Sequence, residues 1–247
     1  LGVILGVMPW NYPFWQVFRF AAPGLTAGNV GLLKHAPNVT GCAMAIEEIF
    51  EEAGFPESTF RTLPITVEQT QSVIDDDRVR AVTLTGSTRA GRSVASRAGE
   101  NLKTSVLELG GSDPYLILED ADLEDAAEKC VTSRMINSGQ SCIAAKRWIV
   151  VEEVRDEFLE LVRERIKNQT MGDPTDPEVD VGPQARFDLR DELHDQVERS
   201  VESGANLELG GEVPDRDGAF YPPTLLTDVD PGNPAATEEL FGPVATL

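Results

Sequence analysis

Short apolar stretches alternate with helical patterns along the first hundred residues. Apolar runs predict strands at residues 1–8, 30–34, 60–64 and 81–85. Between them, helical spacing predicts helices over residues 14–27, 40–53 and 67–74, and another helix from about residue 89. Strands and helices that alternate in this way are typical of a parallel sheet covered by helices.

The pattern continues beyond Gly110-Gly111 as a second region. It predicts strands at residues 115–118, 147–151, 221–226 and near Leu207, and helices at residues 122–136, 154–167 and 187–201. We therefore predict an α/β fold with a Rossmann-like parallel-sheet domain over residues 1–109 and a second α/β domain over residues 110–247. The sequence begins without Met and stops in what reads as a new strand, so we expect it to be incomplete at both ends.

The three cysteines differ in their surroundings. Cys42 has the helical spacing of Ile46, Ile49 and Phe50, and glutamates occupy the opposite face of that predicted helix. Cys130 shares a predicted face with Leu123, Ala126 and Ala127. Both thiols are interpreted as small core hydrophobes. Cys142 instead follows the small, polar loop 137–141, where a ligand can reach a thiol, although a cysteine that only packs in a buried loop is the alternative.

Three other segments could carry chemistry, each with an ordinary alternative. Glu108 ends an apolar strand, where burial would raise its pKa toward the range of a general base, but a carboxylate at a strand edge can also face solvent. Asn11 follows a strand and could donate to an oxyanion, or simply form a turn. The segment that begins Gly86-Ser87 opens a helix and could bind phosphate, or cap that helix.

Composition narrows the range of functions. The chain carries 42 acidic and 21 basic residues, a formal net charge of −21, which disfavours nucleic acid and anionic membranes as partners. With His35 and His194 as the two histidines and no Cys-x-x-Cys pair, no metal site is predicted. Three cysteines do not make a disulfide framework, so we expect a reducing, cytoplasmic setting.

Taken together and in order, six motifs resemble the aldehyde dehydrogenase superfamily. They cover nearly the whole chain, which makes the resemblance specific. The motifs are Pro9-Trp10-Asn11-Tyr12-Pro13, Ala27-Gly28-Asn29 to Lys34, Thr85-Gly86-Ser87-Thr88, Glu108-Leu109-Gly110-Gly111, Gly139-Gln140-Ser141-Cys142 and Glu238-Glu239-Leu240-Phe241-Gly242-Pro243-Val244.

The resemblance implies a role for each matching position. It implies that Cys142 is the nucleophile, Glu108 the general base, and Asn11 the side-chain oxyanion donor beside the N–H of Cys142. It also implies that residues 1–109 bind NAD or NADP and that residues 110–247 are the catalytic domain. The implied cofactor contacts are Trp10, Lys34, Gly86, Ser87, Glu239 and Phe241. An aldehyde substrate and a homo-oligomer of the full-length protein follow from the same resemblance.

One subfamily fits best. Residues 33–38, 142–147 and 185–194 are similar to microbial succinate-semialdehyde dehydrogenases. Pro37 stands where much of the superfamily has an acid that binds the adenosine ribose, and Phe20, beside Arg19, replaces a phosphate-binding Lys, so the choice between NAD and NADP stays open. Two alternatives remain: an acylating enzyme that uses coenzyme A, which Glu108 argues against, and a catalytically silent relative, which Cys142 and Glu108 argue against.

The acid excess suggests adaptation to high salt, and the alternative is an ordinary acidic protein indifferent to salt. Only five of the basic residues are Lys, and the acids run along the whole chain. Because the Debye length grows from about 3 Å at 1 M to about 30 Å at 0.01 M salt, repulsion should spread over the surface as salt is removed. We expect the melting midpoint of the full-length protein to rise steeply with KCl. Thermal melts from low to molar KCl test this, and a flat or falling midpoint would contradict it.

Overall fold

The computed structural model describes residues 2–247. The chain divides after Gly110 into two compact units, each of which contains its own sheet and helices. The predicted α/β fold class is confirmed. The N-terminal strand prediction included Leu1, which lies outside the described residues. Within the described part of the chain, no helix is both long enough and apolar enough to span a membrane.

The first unit contains a parallel sheet. Its strands are β1 (Val3–Met8), β2 (Val30–His35), β3 (Phe60–Thr62), β4 (Val79–Gly86) and β5 (Thr104–Leu109). Its helices are α1 (Trp15–Thr26), α2 (Thr40–Glu52), α3 (Gln69–Asp75) and α4 (Thr88–Glu100). The strand order is β3-β2-β1-β4-β5, and every neighbouring pair is parallel. The chain therefore turns back at β1 and β4, which is the switch point of a doubly wound sheet.

Side chains on the two faces of the first sheet belong to two separate hydrophobic clusters. On β1, Met8 packs in a cluster with residues of α1 and α2, whereas Leu5 packs in another cluster with residues of α3 and α4. Successive side chains of a strand point to opposite faces, so the two clusters cover the two faces of the sheet. Helices on both faces explain why these strands read as continuous apolar runs in the sequence.

The buried face of α2 differs from the prediction. Its buried residues are Ala43, Ile46 and Phe50, while Ile49 is 43% exposed and Cys42 is only partly buried. The ring of Phe50 packs against the first sheet, with its centroid 4.7 Å from that of Phe60 on β3. The interpretation of Cys42 as a core residue was therefore wrong.

The second unit contains a mixed sheet. Its strands are β6 (Pro114–Ile117), β7 (Arg147–Val150), β8 (Asn206–Leu209), β9 (Thr224–Thr227) and β10 (Val244–Thr246). Its helices are α5 (Leu123–Met135), α6 (Glu152–Lys167), α7 (Phe187–Glu202) and the short α8 (Pro234–Thr237). The order is β6-β7-β10-β9-β8, with β8 antiparallel to β9 and the other pairs parallel.

Both faces of this second sheet are also covered. Leu225 and Ala245 pack in a cluster with α5 and α6, whereas their neighbours Leu226 and Val244 pack in a cluster with α7 and α8. Cys130 lies in the α5 cluster and is 2% exposed, so its prediction as a core residue is confirmed. The strand predicted at residues 221–226 starts later, at Thr224, because Pro222 and Pro223 have no N–H to donate to a neighbouring strand.

Candidate active site

The candidate residues of the first unit lie at one edge of its sheet. Trp10 and Asn11 directly follow β1, Lys34 is near the end of β2, Ser87 follows β4, and Glu108 is the penultimate residue of β5. Because these strands are parallel and in register, their carboxyl ends meet at the same edge. Ligands of doubly wound sheets bind outside this edge, at the switch point, which here lies between β1 and β4.

Lys34 is a buried cation at this edge. It is 5% exposed, and burial lowers its pKa while the carboxylate of Glu68 opposes that shift. The neighbouring groove has a volume of about 450 Å³, and its lining runs from His35, Pro37 and Thr40 to the segment 62–68. A buried ammonium beside an open groove suits an adenosine ribose, so the residues present fit the cofactor that the sequence motifs imply.

His35 holds the turn that carries Trp10 and Asn11. Its Nε2 lies 2.9 Å from the carbonyl oxygen of Pro13, at the end of that turn, and its Nδ1 lies 3.0 Å from the amide nitrogen of Ala36. With a proton on Nε2, Nε2–H donates to Pro13 and Nδ1 accepts from Ala36; a proton on Nδ1 would instead donate to the carbonyl oxygen of Met8, which lies 3.2 Å away. Sequence reasoning missed this role, since an isolated His at a strand end carries no motif.

Ser87 caps helix α4. Its side-chain oxygen accepts a hydrogen bond from the backbone N–H of Ala90 at 3.3 Å. The side chain is exposed, and α4 begins at the next residue. The structure therefore supports the capping interpretation of this segment, while the exposed helix N-terminus leaves room for the phosphate contact as a proposal.

Glu108 is a half-exposed carboxylate near the end of β5. Its side chain is 50% exposed, and its Oε1 lies 3.4 Å from Nη2 of Arg19 on α1. Of the two alternatives that the sequence left open, the structure favours the carboxylate that faces solvent, because β5 is the last strand in the order of the described sheet. Its alternate side chains point outward, and Val106 on the same strand is 56% exposed. Glu108 is thus an accessible carboxylate with an arginine partner.

In the second unit, Cys142 follows a tightly constrained loop. Asn137 and Ser138 both have φ of 54°, in the left-handed region that few non-glycine residues occupy. Hydrogen bonds hold this conformation: Ser138 Oγ contacts both the N–H and the carbonyl of Gly182, and Gln140 Oε1 accepts from the N–H of Ala185 at 2.8 Å. Backbone strain that the surroundings maintain is typical of functional sites.

The thiols of this unit differ in exposure. Burial raises the pKa of Cys130 to about 11, so that its thiol stays protonated at neutral pH. Cys142 is partly exposed. Nucleophilic attack needs a thiolate that a reagent can reach, so Cys142 is the better candidate for the nucleophile in this unit.

The segment Glu238 to Gly242 packs against the Cys142 loop. A Cβ at Gly139 would collide with the backbone of Gly242, which shows how closely the two segments approach. The segment carries the candidate cofactor contacts Glu239 and Phe241, both partly buried. The structure thus brings together the three candidate residues of the second unit: Cys142, Glu239 and Phe241.

Two buried cations that sequence reasoning missed hold these segments. Arg134 on α5 is fully buried and donates from Nη2 to the carbonyls of Leu240, at 2.8 Å, and Gly242. Lys146 is 1% exposed and places its Nζ 2.6 Å from the carbonyl oxygen of Cys142 and 3.0 Å from Oε1 of Glu239. A Lys four residues after the candidate nucleophile was the one available signal.

A comparison with known protein families shows to which family the chain belongs. The profile of the aldehyde dehydrogenase family matches residues 1–247. The chain belongs to the aldehyde dehydrogenase family. The resemblance drawn from six sequence motifs is thereby confirmed.

Individual relatives of this aldehyde dehydrogenase family member are similar over its full length. A probable succinate-semialdehyde dehydrogenase (NADP(+)) of Synechocystis is 55% identical over 99% of this chain and 54% of its own length. The Mycobacterium leprae succinate-semialdehyde dehydrogenase (NADP(+)) is 50% identical over 100% of this chain and 54% of its own length. A solved succinic semialdehyde dehydrogenase from Streptococcus pyogenes, in complex with NADP+, has a TM-score of 0.97 at 41% identity, covering 100% of this chain and 54% of its own. The chain spans about half the length of the relatives it matches.

We expect Gly139→Ala to destabilise the second unit strongly. Gly139 has a φ of +73° and its Cβ would strike the backbone of Gly242, whereas Gly54 has a φ of +79° and open space around it. Overpacking against backbone and the left-handed conformation together should lower the free energy of unfolding by roughly 2–4 kcal/mol. Urea denaturation measures this, with Gly54→Ala as the control for the conformational part. Equal losses in the two variants would show that the close approach of the two segments does not matter.

Proposed function

We propose that the full-length protein is an NADP+-dependent, non-acylating dehydrogenase that oxidises succinate semialdehyde to the carboxylate. The single observation that carries the proposal is the partly exposed Cys142, on a strained loop that packs against the segment of Glu239 and Phe241. The family and the names of the relatives supply the reaction class.

The proposed mechanism begins at Cys142. Its thiolate adds to the aldehyde carbon, because an aldehyde must become tetrahedral before its hydrogen can leave as hydride. The resulting oxyanion accepts hydrogen bonds from the side-chain amide of Asn11 and the backbone N–H of Cys142. When bound, the nicotinamide supplies the hydride acceptor. Departure of the hydride leaves a thioester on Cys142. Glu108 then takes a proton from water, whose oxygen attacks the thioester carbon; the C–S bond breaks, the acid is freed and the thiolate of Cys142 is restored.

The cofactor contacts are proposed residue by residue. Lys34 would bind the adenosine ribose, Trp10 would contact the cofactor, and Gly86 and Ser87 would bind phosphate at the start of α4. In the second unit, Glu239 and Phe241 would position the nicotinamide ribose and ring.

Two observations support NADP+ over NAD+. The relatives named above are NADP(+) enzymes or an NADP+ complex. In this chain, the groove beside Lys34 has Pro37 in its lining where a carboxylate would repel a 2'-phosphate, while the carboxylate of Glu68, which also lines the groove, interacts with the ammonium of Lys34. Phe20 has no hydrogen-bond donor for a phosphate, and its ring packs on Gly6 of β1.

Arg19 supports a substrate that carries its own carboxylate. Its guanidinium is half-exposed and lies 3.4 Å from Oε1 of Glu108, the proposed base. Succinate semialdehyde ends in a carboxylate, which a guanidinium binds well. We propose Arg19 as a contact for that group.

The deciding experiment follows formation of the reduced cofactor with matched substrates. Full-length protein is assayed with succinate semialdehyde and with butanal, a neutral aldehyde of the same chain length, each with NADP+ or NAD+ and with or without coenzyme A. We expect the highest kcat/KM for succinate semialdehyde with NADP+, independent of coenzyme A. Strict dependence on coenzyme A would favour an acylating enzyme, and no turnover of either aldehyde would favour a catalytically silent relative.

A further inference from the structure

Lys146 occupies an unusual position for a lysine. It directly precedes β7 and is 1% exposed, and its backbone carbonyl accepts from both the hydroxyl of Thr246, at 3.0 Å, and the N–H of Thr246, at 3.3 Å. Strand β10, to which Thr246 belongs, therefore fixes the main chain of Lys146. Burying an ammonium raises the free energy of the folded state unless opposite charges and hydrogen bonds compensate it. We therefore expect the side-chain ammonium of Lys146 to keep its polar partners.

The side-chain ammonium of Lys146 contacts Cys142 and Glu239, to which the proposed function gives different roles. The Nζ of Lys146 donates to the carbonyl oxygen of Cys142 at 2.6 Å. The same Nζ lies 3.0 Å from Oε1 of Glu239, as an ion pair without the alignment of a good hydrogen bond. An ammonium has three donors, so it can hold both groups at once.

The neighbouring carboxylate is held differently. The carboxylate of Glu238 accepts hydrogen bonds from Nη1 and Nη2 of Arg199 on α7, at 2.8 and 2.9 Å, and from the side-chain amide of Gln196, at 3.0 Å. These hydrogen bonds lower the pKa of Glu238 to about 2. Arg199 thus anchors the segment to α7, whereas the ammonium of Lys146 also contacts the nucleophile's own carbonyl.

We propose that Lys146 is a positioning residue that couples occupancy of the cofactor contact Glu239 to the backbone orientation of Cys142. A ribose hydroxyl that donates a hydrogen bond to Glu239 would share the carboxylate whose negative charge compensates the ammonium of Lys146. The ammonium then shifts its interaction toward the carbonyl of Cys142, which sets the direction of the Sγ atom. The inference rests on the proposed roles of Glu239 and Cys142, and it adds a residue that links them.

The test measures the rate at which iodoacetamide alkylates Cys142 in the full-length protein, with and without NADP+. This readout needs no turnover, so it is separate from the test of the proposed function. We expect NADP+ to change the alkylation rate of the wild-type protein. In Lys146→Met, which keeps the length of the side chain without its charge, we expect that change to be largely lost and the Kd for NADP+ to rise roughly 10-fold, because charge-assisted hydrogen bonds of this kind contribute about this much.

Arg199→Met is the matched control, because it removes the cation of the adjacent carboxylate but leaves the contact with Cys142. We expect it to retain the effect of NADP+ on alkylation even where it weakens binding. If Lys146→Met does not fold, Glu239→Gln tests the same link, since its amide keeps a hydrogen-bond acceptor for Lys146 without the charge. The proposal is overturned if NADP+ leaves wild-type alkylation unchanged, or if the folded variant, Lys146→Met or Glu239→Gln, responds to NADP+ as the wild type does.

Discussion

Cys142→Ala is expected to abolish aldehyde oxidation by the full-length protein while leaving cofactor binding largely intact. The thiol is partly exposed, and the loop before it is held by Ser138 and Gln140, so little packing is lost with the sulfur. Without a nucleophile the aldehyde carbon cannot become tetrahedral. The rate should fall on the order of 10⁴-fold or more, because removing a catalytic nucleophile costs about 10⁶-fold in a well-studied hydrolase.

The other two cysteines are the controls for this substitution. Cys130→Ala should keep its activity but lose roughly 1 kcal/mol of stability, since it leaves a gap in the core beside α5. Cys42→Ala should change little, because Cys42 is only partly buried. Steady-state rates and thermal melts of the three variants separate these outcomes. If Cys142→Ala kept most of its turnover, another group would have to be the nucleophile.

Glu108→Gln is expected to leave a rapid burst of reduced cofactor but to slow steady turnover by ~10²–10⁴-fold, the usual effect of losing a general base. The burst should survive because hydride transfer precedes the step in which water attacks the thioester. Stability should hardly change. The side chain is half-exposed, and its pairing with Arg19 is a surface ion pair of a kind that contributes about 0–1 kcal/mol.

Glu51→Gln provides a matched control in the same unit. Glu51 is also about half-exposed and also pairs with an arginine, Arg61, at 3.1 Å. Rapid mixing of both variants with substrate and NADP+ resolves the burst. Loss of the burst together with turnover in Glu108→Gln would show that Glu108 acts earlier, in forming the thiolate. A normal steady-state rate would remove Glu108 from the mechanism.

The fold was predictable where the hydrophobic pattern is local. Strands buried on both faces read as apolar runs, and every long helix was found within about two residues of its prediction. The pattern failed where a distant contact decided the outcome. Phe50 packs on Phe60 while Ile49, predicted to share its face, is exposed, and the position of β5 in the sheet decided between the two alternatives left open for Glu108.

The same distinction between local patterns and distant contacts applies to the candidate site. Motifs identified Cys142 and Glu239, because their neighbours in sequence mark them. Arg134 had no such marking, and Lys146 had only its spacing of four residues from Cys142. Their partners Leu240 and Glu239 lie about a hundred residues further along the chain. Only the packing of the Cys142 loop on the segment 238–242 brings these groups together. Residues that support a site through long-range contacts remain invisible to local pattern.

The order of strands in the second sheet has a consequence for synthesis on the ribosome. Strand β10 lies between β7 and β9, although it is made after both of them. Until residues 244–246 emerge from the ribosome, β7 and β9 each have an unpaired edge. The two hydrophobic clusters beside α5 and α7 also lack β10, which contributes residues to both of them. The nascent second unit should therefore stay incompletely paired, and open to strand-adding neighbours or chaperones, until β10 is inserted between β7 and β9.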